Sequence, residues 1–160
     1  MRSFEIFAGM TPEHATEMLG AIKKAGPGMY SQGLATAAAV FKARPIYLAR
    51  QPLPKQTASI RRALSRVAAN LFAEEMLAVY FLECKKDLLI EWLDSLGIAH
   101  EDGTLNDDEP KAPSKKKLQS ATKAFRSAGD DPDRELLLAA FASQAAIDWP
   151  DLDALVEAGA

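Results

Sequence analysis

The sequence predicts an all-α fold: a single compact helical bundle of about seven helices with a long central helix. Three observations lead to this prediction. Apolar residues recur at steps of three and four along most of the chain, and no useful stretch alternates with a period of two. Hydroxyl or acidic residues stand before prolines, as in Thr11-Pro12 and Asp131-Pro132, a typical signal for a helix start. The chain of 160 residues is also long enough to bury a core without a disulfide or a metal.

The composition excludes several classes of protein. Hydrophobic residues make up 48% of the chain and charged residues 26%, unlike a disordered chain, and the single cysteine excludes a disulfide scaffold. The longest apolar stretch, residues 71–82, contains two glutamates and is well short of the roughly 20 residues that span a bilayer. Glu5 falls where a signal peptide would be apolar. We therefore expect a soluble, cytoplasmic protein that does not enter a membrane.

The first helices are bounded by caps and prolines. Thr11 begins a helix that Gly26 ends, and a second helix covers about 29–43. Small residues fill its centre, 33–40, so another helix is expected to approach it closely. Prolines then leave room only for a short helix at 46–50.

The longest predicted helix covers about 55–84, and we place the part from 56 to 84 at the centre of the bundle. An apolar stripe recurs at helical spacing along it: Ile60, Leu64, Val67, Leu71, Ala78 and Leu82. The second half of this segment is apolar on all sides, which is typical of a helix that enters the middle of a bundle.

The remaining segments complete one domain. A helix around 88–96 closes the N-terminal helical part, 11–98, and an acidic loop follows at 99–113. We expect the C-terminal helices, 114–157, to pack on the N-terminal part, because alone they are too few to form a good core. The prediction is a single domain over 1–160, with core anchors Trp92 and Trp149.

Charge is arranged in blocks that alternate in sign, although the net charge is only -3. Residues 74–110 contain eleven acids and two lysines, residues 111–126 six cations and no acid, and residues 127–160 eight acids and one arginine. Residues 18–73 contain no acid and nine cations: Lys23, Lys24, Lys42, Arg44, Arg50, Lys55, Arg61, Arg62 and Arg66.

Two interpretations of the basic block 18–73 compete. In one, it forms a surface for a phosphate-bearing partner, where Tyr30 and Tyr47 stack on bases. In the other, which we favour, basic and acidic blocks neutralise each other within the fold or across a dimer. The block contains no zinc-finger spacing, RRM core motif or GXXG loop. The candidate residues for anion or partner binding are Arg44, Arg50, Lys55, Arg61, Arg62 and Arg66.

Glu74 and Glu75 are candidate buried carboxylates in the most apolar helix. Paired carboxylates perform acid–base chemistry when burial raises one pKa. A di-iron bundle needs Glu-x-x-His on two helices, and neither His14 nor His100 belongs to such a motif. We favour a structural pair, bonded to arginines of the basic block.

Other candidate chemistry is weaker. The acidic segment 102–109 fits part of a calcium loop, but Ile98 would occupy the first ligand position and cannot bind the ion. Cys84 has no Cys–His arrangement around it in the sequence, so we expect a packed thiol. No nucleophile motif or phosphate-binding loop is present, and we expect no catalytic residue, no cofactor and no metal.

The sequence thus favours a non-catalytic helical interaction protein, an adaptor or small subunit that binds a protein partner or a second copy of itself. The alternative is binding of an anionic ligand, nucleic acid or another polyanion through 18–73. A third hypothesis is an enzyme that uses Glu74 and Glu75 as buried carboxylates.

Overall fold

The computed structural model describes residues 1–159 and confirms the all-α class. The part of the chain that it describes contains ten α-helices and one two-stranded sheet. The excess over about seven helices comes chiefly from an N-terminal helix and from the division of residues 55–84. The helices are α1 (Ser3–Gly9), α2 (Pro12–Ala25), α3 (Pro27–Phe41), α4 (Pro45–Ala49), α5 (Leu53–Leu64), α6 (Asn70–Val79), α7 (Lys86–Leu96), α8 (Lys115–Ser127), α9 (Pro132–Ser143) and α10 (Pro150–Gly159).

The chain divides into two compact units. The N-terminal unit is Arg2–Cys84, and the C-terminal unit is Lys85–Ala160 together with Met1. The single domain over 1–160 stays a prediction. None of the helices in the described residues is both long and apolar enough to cross a bilayer.

Helix starts follow the predicted caps. The hydroxyl oxygen of Thr11 accepts a hydrogen bond from the backbone N–H of His14 (3.2 Å), and Pro12 takes the first helical position. Ser114 caps α8 in the same way, accepting from the backbone N–H of Lys117 at 3.3 Å. These bonds satisfy N–H groups that have no partner inside their own helices.

The N-terminal unit is built around α2, which packs against α3 and α5, while α1 packs on α5 and α6. A Cβ atom on Gly33 would lie 3.3 Å from the Met76 methyl and 3.4 Å from Cγ2 of Ile60. The predicted close approach of the small-residue segment is therefore confirmed, and its partners are α5 and α6. The side chains at the centre of this core are Phe7, Met18, Leu19, Ile22, Ile60, Leu64, Met76 and Leu77.

The long helix predicted over 55–84 is interrupted. The hydroxyl of Ser65 donates to the carbonyl oxygen of Arg62 (2.7 Å), competing with the backbone ladder at the end of α5. Arg66 is extended (ψ 142°), one 3₁₀ turn follows at Val67–Ala69, and α6 then begins. A π-helical turn, Tyr80–Cys84, ends the segment.

The interruption divides the predicted apolar stripe. Ile60 and Leu64 are fully buried, whereas Val67 is 60% exposed and Leu71 75% exposed. The reason is that the extended residue 66 rotates the following turn relative to α5. The predicted stripe is therefore wrong at Val67 and Leu71.

The C-terminal unit has an aromatic core. The Trp92 ring lies 5.3 Å from that of Phe125 and 6.0 Å from that of Phe141. Trp149 lies 5.5 Å from Phe141, and its indole N–H donates to the carbonyl oxygen of Pro110 (3.1 Å). Both tryptophans are buried, as predicted for core anchors.

The acidic segment 99–113 is not a loop throughout. Two short strands, β1 (His100–Glu101) and β2 (Thr104–Leu105), pair antiparallel. Asp102 and Gly103 both have positive φ, 53° and 92°, the combination a tight two-residue hairpin turn requires. The turn residues explain the hairpin, although the short strands show no detectable alternation in the sequence.

Candidate functional site

The two units differ in the sign of their charge. The N-terminal unit has ten Lys and Arg against six carboxylates, a net +4, and the C-terminal unit has nine against sixteen, a net -7. All nine cations of residues 18–73 belong to the N-terminal unit. The other blocks do not follow the division into units, because the acidic block 74–110 spans the boundary after Cys84 and the basic block 111–126 belongs to the negative unit.

Five of the nine cations of the C-terminal unit form ion pairs with acids of that unit in the described residues. Arg126 bonds the Glu135 carboxylate at 2.6 Å, and Lys115 lies 3.8 Å from Asp151. The second basic block, 111–126, is therefore partly neutralised by acids of its own unit, as the favoured interpretation of the sequence expects. Arg134 likewise bonds Glu91, which raises the arginine pKa.

Cations of the N-terminal unit behave differently. Within this unit, as far as the structure describes it, none of the nine cations of residues 18–73 lies within 4.0 Å of a carboxylate oxygen. Their own unit leaves these charges without a counter-ion. The expected internal neutralisation does not hold for this block within its unit.

The six candidate cations fall into three groups. Arg61 donates to the Met10 carbonyl oxygen (2.9 Å) and tethers the end of α1, so its guanidinium serves the fold. The guanidinium of Arg62 lies over the Phe41 ring, 4.8 Å from its centre. The other four are exposed to solvent: Arg44, Arg50, Lys55 and Arg66.

The most exposed part of the unit is the segment 41–50, at the end of α3 and through α4. Ile46 is 59% exposed and Tyr47 60% exposed, and the only buried side chain of the segment is Leu48. We define the α4 surface as a set of seven exposed side chains: Phe41, Lys42, Arg44, Ile46, Tyr47, Arg50 and Arg62, the last of which lies over the Phe41 ring. It presents three large apolar side chains, of which Ile46 and Tyr47 are the most exposed, together with four cations and no acid.

A buried hydrogen-bond network holds α4 in place. Tyr30 donates to the side-chain oxygen of Gln56 (2.6 Å), and the Gln56 amide donates to the carbonyl oxygens of Ala49 (2.9 Å) and Gln51 (2.7 Å). Burial raises the pKa of Tyr30 to about 12. Tyr30 is therefore a structural residue, and the expectation that it stacks on bases beside Tyr47 is wrong because its ring is buried.

The candidate carboxylates are not buried. Glu75 is exposed and Glu74 half-buried, because α6 starts after the interruption and turns a different face inward. The arginine pairing expected for them is not formed by the cations of residues 18–73 in the described part of their unit. Among residues 1–159, no group of three His, Cys, Asp or Glu side chains is arranged to hold a metal ion.

A second exposed apolar site lies at the corner between α5 and α6. Val67 and Leu71 are four residues apart on the outside of the 3₁₀ turn and the first turn of α6, next to Arg66. Sequence reasoning missed this site and the exposure of Ile46, although it named Tyr47 as a residue that could stack on bases. Val67 and Leu71 match the helical pattern of core positions, and only the tertiary arrangement exposes them.

Comparison of the chain with known protein families, curated proteins and solved structures found no match.

Proposed function

We propose that this chain is a non-catalytic interaction protein whose N-terminal unit binds another protein. The observation that carries the proposal is the exposure of Ile46, Tyr47, Val67 and Leu71 on a unit with a net charge of +4. Large exposed apolar side chains surrounded by polar residues are typical of protein-binding surfaces. The small-residue segment 33–40, which also favoured interaction in the sequence, packs largely inside the unit and does not contribute to this argument.

Affinity purification of the full chain from its source cells tests this proposal. We expect specific protein partners with the wild type, and at least about a tenfold loss of them when Ile46→Ser, Tyr47→Ser and Leu71→Ser are combined, because truncating buried interface anchors costs 2 kcal/mol or more each. The matched control is Gln32→Ser, on the exposed face of α3. Equal recovery with the triple variant, or no specific partner for the wild type, would contradict the proposal.

A second candidate function, binding of nucleic acid or another polyanion, is supported by the unpaired cations Arg44, Arg50, Lys55 and Arg66 with Tyr47. Four phosphate contacts with a single strand give a slope of about -3 in a plot of log affinity against log salt. Titration with single-stranded oligonucleotides at several salt concentrations measures it. A slope that Arg44→Ala and Arg50→Ala do not reduce would count against this candidate.

A further inference from the structure

The α4 surface combines two kinds of contact that point to one class of partner. Its centre is apolar, with Ile46 59% and Tyr47 60% exposed. The same surface carries four exposed cations that have no carboxylate partner within the described part of their unit: Lys42, Arg44, Arg50 and Arg62. A partner that covers both must offer apolar side chains next to carboxylates.

Nucleic acid would make favourable contacts with only part of this surface. Phosphates would pair with the cations and a base would stack on Tyr47, but Ile46 offers neither a stacking plane nor a hydrogen bond. One face of the Phe41 ring is occupied by the guanidinium of Arg62. A protein segment uses Ile46 and Tyr47 together, because both are apolar anchors for its side chains.

A second copy of the chain is also a poor match. Two α4 surfaces facing each other would oppose four cations to four cations. The acidic C-terminal unit would supply carboxylates, but Met1 is the one large hydrophobic side chain classed as exposed in its described part. Neither arrangement covers the apolar centre and neutralises the cations at once.

The surface is also held in a fixed shape. Lys42 ends α3 in the left-handed conformation (φ 53°), Pro45 starts α4, and the Gln56 amide holds the carbonyl oxygens of Ala49 and Gln51. The backbone of this surface is therefore ordered before binding, and the ordering cost on this side of the interface falls on the exposed side chains.

We propose that the α4 surface docks an acidic segment of another protein, with aliphatic or aromatic side chains of that segment on Ile46 and Tyr47 and its carboxylates at Lys42, Arg44, Arg50 and Arg62. This inference rests on the proposed function and names its site and the chemistry of its partner. Charge attraction would accelerate the encounter and make it sensitive to salt, while the apolar centre would hold the complex.

Photo-crosslinking of the full chain in its source cells tests the inference. Benzoylphenylalanine replaces Tyr47, and matched labels replace Leu71 at the second apolar site and Gln32 on the exposed face of α3. We expect the label at position 47 to form adducts with protein segments rich in Asp, Glu and apolar residues. Combining Arg44→Glu with Arg50→Glu should lower their yield about tenfold or more, since 1.4 kcal/mol is a tenfold change in affinity. Unchanged circular dichroism and thermal midpoint confirm that this variant folds.

The outcomes separate this inference from the broader proposal. Adducts at position 47 with nucleic acid, lipid, this chain itself or segments without acidic residues would overturn the inference, as would a yield insensitive to charge reversal. Protein adducts at position 71 but none at 47 above the Gln32 control would also overturn it, yet leave the proposed function intact. An absence of adducts above that control at both positions would contradict both.

Discussion

At the scale of single residues, the pair Tyr30 and Gln56 shows how a buried polar contact directs an exposed surface. The phenol donates to the amide oxygen at 2.6 Å inside the core, and the amide nitrogen bonds two carbonyl oxygens at the end of α4 and beyond it. Each buried polar atom in this chain of contacts has a partner, and removing one leaves the next unsatisfied. The α4 helix that carries Tyr47 is thus held in place by a tyrosine that is itself buried.

Tyr30→Phe is expected to lower the free energy of unfolding by about 1–2 kcal/mol at pH 7, because the buried oxygen of Gln56 loses its donor. The pH dependence has a definite sign. The pKa of Tyr30 is about 12 in the folded chain, above its ordinary value of 10.0, so its contribution is complete below pH 10 and is lost as the pH rises towards 12. The advantage of wild type over Tyr30→Phe should fall by about 1.4 kcal/mol per pH unit above 10.

Urea unfolding of both proteins between pH 8 and about 11 measures this difference. Tyr47→Phe is the matched control, because Tyr47 is exposed and its variant should follow the wild type at every pH. Parallel loss of stability in wild type and Tyr30→Phe above pH 10 would show that burial does not hold the phenol in its protonated form.

At the scale of secondary-structure elements, the sequence predicts helices well where a local signal marks the end. Thr11 and Asp131 cap the helices they were expected to cap, since a cap needs only neighbouring backbone N–H groups. Ser65 interrupts a strongly apolar segment, and serine within a helical pattern is a weak signal. The Asp102-Gly103 turn was also recognisable, but strands of two residues are too short to show alternation.

The interruption after α5 leads to opposite predictions for two leucines of the same sequence stripe. Leu64→Ala should lower the free energy of unfolding by about 2–5 kcal/mol, because Leu64 is fully buried. Leu71→Ala should change it by no more than about 0.5 kcal/mol, because its side chain is 75% exposed. Chemical denaturation followed by circular dichroism measures both. Similar losses of stability for the two variants would contradict the interruption and would support one continuous helix whose apolar stripe is buried along its whole length.

At the scale of the whole molecule, charge is the feature that the sequence reveals best and apolar exposure the feature it reveals least. The cations of the α4 surface were identified as candidates because charge blocks are visible in a linear sequence. The internal role of Arg61 and the exposure of Ile46 were not visible, since each depends on which elements pack around the residue. The candidate site was thus predictable in its electrostatics and unpredictable in its apolar centre.

The predicted single domain over 1–160 has a direct test in the placement of the two tryptophans. Trp92 and Trp149 both lie in the C-terminal unit, so tryptophan fluorescence follows that unit, whereas circular dichroism follows the helices of both. A chain of roughly 80 residues buries only about 60% of its unfolded surface and is marginal alone, which favours cooperative unfolding of the two units. We therefore expect coincident transitions by both probes.

Leu64→Ala makes this test decisive, because Leu64 is buried in the N-terminal unit. In a single cooperative domain, this substitution lowers the midpoint of tryptophan fluorescence as much as that of circular dichroism, although both tryptophans belong to the other unit. Leu71→Ala, exposed in the same unit, should move neither midpoint. A fluorescence midpoint unchanged by Leu64→Ala, with circular dichroism divided into two transitions, would instead mean two domains, each stabilised by its own core.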